Sequence, residues 1–291
     1  MLFVAANWQA FGVFGRFALL QIGLLACVAV ALWRAPPALA GRGASIFATL
    51  LTGGMLALFG QSYQTGADLY ELFFVWAALG LPFALAGLSG ALWALWWAVL
   101  NVGLALLCGG GGTDLPLWRL ADGGGLDRSA LLMLPCLIDL FGADVFLWLG
   151  GTRFAVAAPG WLVRGLASAG FLFGTLAMLA LWIDPWRISP QTEPSAQHVG
   201  VALVFTGVSA VIAVATWRAR RDVFAMALIG ASWIVISTTW LARSLRFDDL
   251  GAFLAIALWL IAASTATGKL LMHWLRAWRP ASINVHERAA A

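Results

Sequence analysis

Hydrophobic residues along this chain come in long unbroken runs, separated by short polar or glycine- and proline-bearing breaks. Nine such runs predict helices over about 17–33, 44–60, 69–87, 90–108, 130–150, 161–183, 199–217, 222–242 and 250–268. Each approaches the roughly 20 residues an α-helix needs to cross the hydrocarbon core of a bilayer. The runs are continuously apolar. That sets aside the β-barrel, whose spanning strands are short and alternate in polarity. Only Gly87-Leu88-Ser89-Gly90 separates the third run from the fourth, which predicts an antiparallel helical hairpin. Two breaks are long: residues 109–129 with two glycine clusters, and the proline-rich 184–198. No strand precedes the glycines and no βαβ unit surrounds them, so a phosphate-binding reading fails. No internal repeat is visible, so an inverted-repeat transporter has no support. The expected fold is all-α, a polytopic transmembrane bundle forming a single domain over 1–280, with 281–291 a disordered cytoplasmic tail.

Composition agrees. Of 291 residues 62% are hydrophobic and only 10% charged, with a mean hydropathy of +0.91, whereas ordinary globular chains are about 25% charged. A water-soluble core cannot hide that much apolar surface, so the lipid bilayer is the expected environment and first partner.

The net charge of +4 rests on sixteen arginines and Lys269. Their positions set the threading. Arg34, Arg42, Arg153, Arg164, Arg218, Arg220, Arg221, Lys269, Arg276, Arg279 and Arg288 fall on one side; Arg16, Arg119, Arg128, Arg187, Arg243 and Arg246 fall on the other. The richer side is cytoplasmic, which puts the C-terminus inside a bacterial inner membrane. Basic charge distributed in this way marks membrane topology, and no nucleic-acid partner is expected. The first sixteen residues have no basic n-region and do not read as a signal peptide.

One polar knot interrupts this pattern without a basic residue: GQSYQTGAD, Gly60 to Asp68, on the side opposite the C-terminus. Asp68 is placed to cap the helix that follows, with Glu71 at the third position to complete a capping box. The same residues, with Gln61, Tyr63 and Gln64, are candidates for an outward-facing ligand or partner site. A tight turn whose amides satisfy loose backbone groups is the competing reading. Asn7, Trp8 and Gln21 are expected on the same side and are candidates to join them.

The stretch GQSYQTGADLYELFFVWAALGLP resembles a family of predicted bacterial membrane proteins, domain of unknown function 2157. The similarity rests on Ala5-Ala6-Asn7-Trp8, on Arg16-Phe17-Ala18-Leu19 with Gln21, on Gly60-Gln61 and Tyr63 to Asp68, and on Leu72-Phe73, Trp76 and Leu81-Pro82. It covers about the first third of the chain. The resemblance implies a membrane location and a helical fold, with a further helix ahead of Ala5 that this chain lacks. It implies no activity.

Asp139 is the other anomaly. It falls near the middle of the fifth run, where a charge costs roughly 2.5–3.5 kcal/mol on insertion scales. Pro135, one turn earlier, lacks the N–H that would bond the Leu131 carbonyl and is expected to kink the helix. The functional reading is a proton relay or cation site; a neutral, hydrogen-bonded carboxyl or an incompletely inserted helix are the alternatives. Asp139 and Asp144 stand about 140° apart on one helix, without the GxGD of an intramembrane protease. His198, His273 and His286 fall in separate segments with no HExxH, and Cys27, Cys108 and Cys136 are isolated in apolar runs. No metal, cofactor or enzymatic chemistry is expected. The expected function is a non-catalytic integral membrane protein whose outer polar cluster binds a partner, a lipid or a small ligand, another membrane protein being the candidate partner. The alternative is a permease using Asp139 and the cluster. Two further patterns bear on packing: Gly170 and Gly174 form a small-xxx-small face read as internal packing, and Lys269, His273 and Arg276 share one face of the last helix while Leu270, Trp274 and Trp278 share another.

Overall fold

The structure, a computed structural model, describes residues 11–35, 38–63, 68–109, 128–150, 159–183, 196–245 and 250–278. Among these there are nine helices long and apolar enough to cross a membrane, and no strand. They are α1 (Val13–Trp33), α2 (Leu39–Tyr63), α3 (Leu69–Gly87), α4 (Gly90–Gly109), α5 (Arg128–Gly150), α6 (Gly160–Ile183), α7 (Ala196–Ala215), α8 (Val223–Ser244) and α9 (Leu250–Ala277). A π-helical turn, Thr216–Arg220, prolongs α7. The last helix runs on through KLLMHWLRA, as its amphipathic spacing predicts. Asn7, Trp8, Gln64 and the tail 281–291 lie outside the described residues.

The chain divides into two compact units, Met1–Leu115 with Gly142–Val163, and Pro116–Phe141 with Arg164–Ala291. In the first, successive helices pack as antiparallel hairpins. Gly23 of α1 lies against Leu51 of α2, and Gly53 of α2 lies under the indole of Trp76 from α3. That indole donates its N–H to the Thr49 carbonyl at 2.8 Å. Trp96 of α4 repeats the device one hairpin later, donating to the Ala77 carbonyl of α3 at 2.8 Å. Gly103 takes up the Cβ of Phe73 and the ring of Phe74. The end of α5 joins this unit through Gly142 beneath Trp97 and through Phe146 edge-on to Trp93, their rings 5.2 Å apart.

The turn between α3 and α4 is Leu88-Ser89, and Leu88 adopts a left-handed conformation (φ 42°, ψ 41°). The flanking glycines serve packing instead. A side chain at Gly87 would strike Leu92, and one at Gly90 would strike Pro159.

In the second unit Gly170 and Gly174 of α6 admit Leu140 and Cys136 of α5 and Phe205 of α7. The small-xxx-small face therefore packs internally, as expected. Phe205 also meets Phe171 and Trp233, with ring centroids 6.3 and 6.0 Å away. Gly230 of α8 approaches Thr267 of α9.

The burial pattern is that of a bilayer protein. The buried face of α2 is Gly41, Ala44, Ser45, Ala48, Thr49, Thr52, Gly53 and Leu58, while Phe47, Leu50 and Phe59 are exposed. Helices in lipid gain nothing by hiding large apolar groups from one another, so close contact is left to small residues. The buried hydroxyls of α2 are satisfied within the helix: Ser45, Thr49 and Thr52 donate to the carbonyls of Gly41, Ser45 and Ala48 at 2.9, 3.0 and 2.9 Å. α1 has no buried residue, and α9 buries only Ala252.

Candidate functional site

The α2–α3 connection carries most of the candidate residues. α2 ends at Tyr63 because the polar GQSY segment leaves the apolar pattern, and α3 begins after Asp68. Gln61, Tyr63, Asp68 and Glu71 are all exposed, Tyr63 at 54% with its ring 4.8 Å from that of Phe59. These described side chains stand out from the helix ends and do not fold into the bundle.

Asp68 is the N-cap of α3 by position, with extended backbone (φ −66°, ψ 147°), but its side chain accepts no hydrogen bond from the first turn. The capping box expected from Asp68 and Glu71 is not closed. The donor it needs, the Glu71 N–H, goes to the backbone carbonyl of Asp68 at 3.1 Å. The Asp68 and Glu71 side chains are both left exposed at the surface.

Gln21 does not join them. It sits on α1 about half a turn before Gly23, and Gly23 packs on Leu51, which lies more than three turns back from Tyr63 along α2. Gln21 is exposed, but on the side of the helix pair and away from the turn.

Asp139 is at 0% exposure, on the buried stripe of α5 that also carries Leu132, Met133, Cys136, Leu140, Ala143 and Phe146. The helix passes Pro135 without a break. Asp144, on the other side of the same helix, is exposed. The two carboxylates thus have opposite environments. Among the described residues no group of three His, Cys, Asp or Glu side chains converges in a way that would hold a metal ion.

One cluster escaped sequence reasoning. Trp217, in the π-helical turn after α7, meets Trp274 and Trp278 at the end of α9, with ring centroids 5.4 and 6.0 Å away; Trp274 and Trp278 stack at 6.0 Å. The spacing of Trp274 and Trp278 puts them on one face, but nothing local to Trp217 names its partners. The signal that could have found them is the coincidence of tryptophan and arginine at two helix ends on the same side of the threading.

Comparison with known proteins bears on the first of these sites. Residues 1–93 match the family of predicted membrane proteins designated DUF2157. No match is found among curated proteins or among solved structures. The DUF2157 match takes in α1, α2, the polar turn, all of α3 and the first residues of α4, so the exposed cluster lies within it and Asp139 lies beyond it.

Proposed function

We propose that this chain is a non-catalytic, multi-pass protein of the bacterial inner membrane that engages a partner through the α2–α3 turn, on the outer face, with its C-terminus in the cytoplasm. The observation that carries this reading is the joint exposure of Gln61, Tyr63, Asp68 and Glu71 at one helix–helix turn. Two carboxylates, amide and phenol groups, and no basic residue in the turn favour a partner that brings cationic or hydrogen-bond-donating groups, such as a loop of another membrane protein. Asp68 closes no cap bond, and exposed charges contribute little to stability through surface ion pairs, so architecture gives these two carboxylates little to do. The membrane family matched over residues 1–93 supports the setting.

The test is a photo-crosslinking amino acid at position 63, with Gln61→Ala, Asp68→Asn and Glu71→Gln introduced around it. The expected outcome is a defined adduct in intact cells that disappears in the substituted chains while folded yield in detergent stays normal. Loss of folded protein in those chains would assign the turn to architecture and end the proposal.

A permease reading has one observation behind it, a carboxyl with no exposed surface in the middle of a membrane-length helix. The same enclosure counts against it, because a transport residue has to be reached from at least one side. A flux measurement in vesicles that gives equal rates for the unaltered chain and Asp139→Asn removes this reading.

A further inference from the structure

At the end of the second unit opposite the α6–α7 connection, three tryptophans bind two helix ends together. Trp217 is 52% exposed, and Trp274 and Trp278 are partly exposed. A half-wet aromatic cluster of this kind sits naturally where hydrocarbon gives way to headgroups, its rings in the apolar layer and its indole N–H groups toward water. Both helix ends are basic. The π-helical turn and the residue after it carry Arg218, Arg220 and Arg221, all exposed. The last turns of α9 carry Lys269, His273 and Arg276, also exposed. Among the described residues from 216 to 278 the only acidic side chain is Asp222, and its Oδ1 accepts the Phe224 N–H at 3.0 Å to cap α8.

The geometry points to a docking surface for anionic phospholipid headgroups, built from Arg218, Arg221, Lys269 and Arg276 around the Trp217–Trp274–Trp278 cluster. Two features select a lipid surface as the occupant. First, α9 turns its tryptophan face toward Trp217, so the Lys269, His273 and Arg276 face, about half a turn of the helix away, points outward. The cations therefore flank the aromatic cluster and do not converge on a single small anion. A plane of headgroups can meet all of them at once. Second, α9 has 28 residues, about 42 Å of helix against roughly 30 Å of hydrocarbon, so turns at its end reach the headgroup layer. Basic side chains in that layer each attract anionic lipid, and the attraction is screened by salt. This surface does not depend on which leaflet receives it.

The experiment uses the full chain, purified in detergent and offered phosphatidylglycerol or phosphatidylcholine of matched acyl chains. Lipid retention is counted by native mass spectrometry, and thermal unfolding is followed in parallel. The unaltered chain is expected to retain phosphatidylglycerol in preference, and raising NaCl from about 0.05 to 0.5 M should erode the preference. Arg218→Gln with Arg221→Gln, and Lys269→Gln with Arg276→Gln, should each weaken it by roughly tenfold, at helix content equal to that of the unaltered chain. Exchanging the same arginines for lysine should preserve it. Trp217→Leu should weaken it without any change in charge. Equal retention of the two lipids overturns the proposal, as does a preference indifferent to salt or to all four substitutions. Inorganic phosphate that stabilises the chain as well as the lipid does would also overturn it, by making this a small-anion site. An acidic peptide that binds here while lipid preference is absent would make it a protein interface and end the lipid assignment. Should the glutamine variants fail to fold, the salt titration on the unaltered chain decides.

Discussion

One demanding contact in the first unit is between a residue with no side chain and the largest side chain there is. Gly53 leaves room for the Trp76 indole, and the same indole is held in place by its bond to Thr49 at 2.8 Å. A methyl group at position 53 would have to displace a rigid ring and could not simply push aside a flexible chain end. Gly53→Ala is therefore expected to cost about 1–3 kcal/mol, the usual penalty of overpacking. Trp76→Phe should cost about 1 kcal/mol through the lost hydrogen bond, in addition to any cavity. The two changes should not add. The smaller ring makes space for the new methyl, so the double variant should be less destabilised than the sum by about 0.5–3 kcal/mol. Thermal unfolding of the four chains in one detergent measures this; strict additivity would mean the residues are not in the contact described. Neither partner was legible from its own sequence neighbourhood. Trp76 could be placed on a helix, but the run pattern does not say which glycine it covers.

At the scale of elements, the α3–α4 hairpin separates what spacing reveals from what packing decides. Four residues between two apolar runs were enough to predict an antiparallel pair. Spacing did not say which residue makes the turn: the left-handed one is Leu88, while Gly87 and Gly90 are kept bare by Leu92 and Pro159. Left-handed backbone costs an L-residue about 1–2 kcal/mol that glycine escapes. Leu88→Gly should accordingly stabilise the hairpin by up to about 1 kcal/mol, after the greater freedom of glycine in the unfolded chain is set against the gain. A fall in melting temperature for this variant would show that the Leu88 side chain contributes more than its backbone costs. The α2–α3 connection makes the same point with the opposite outcome. The sequence placed Asp68 at the cap, yet the cap bond depends on where the Glu71 N–H points, and that is settled by a tight backbone turn.

Across the described residues many large apolar side chains face outward, and on α2 the small and hydroxyl-bearing ones are inside, an arrangement that suits a hydrocarbon solvent. The threading expected from arginine placement makes a prediction that side-chain packing cannot. Tyr63→Cys, in a chain whose own cysteines have been replaced by alanine, should react in whole cells with a membrane-impermeant maleimide, and a fluorescent reporter fused after Ala291 should mature in the cytoplasm. Protection of the new cysteine together with a periplasmic reporter would invert the orientation and move the proposed partner surface to the inner face. The lipid surface at the ends of α7 and α9 would survive that inversion, since either leaflet can supply headgroups.

Taken alone, the sequence determined how many membrane-length helices the described residues hold, roughly where they begin and end, and that they are apolar enough to cross a bilayer. These properties depend on the length and polarity of continuous runs, which the bilayer reads one helix at a time. It also marked Asp139 and the polar turn as unusual. Tertiary structure alone decided that Asp139 is fully enclosed while Asp144 is exposed, that Gln21 stays away from the Tyr63 end of α2, and that Trp217 meets Trp274 and Trp278. Those outcomes depend on the rotation of each helix about its axis and on its neighbours. In a chain that is apolar on nearly every face, hydrophobic periodicity carries almost no information about either.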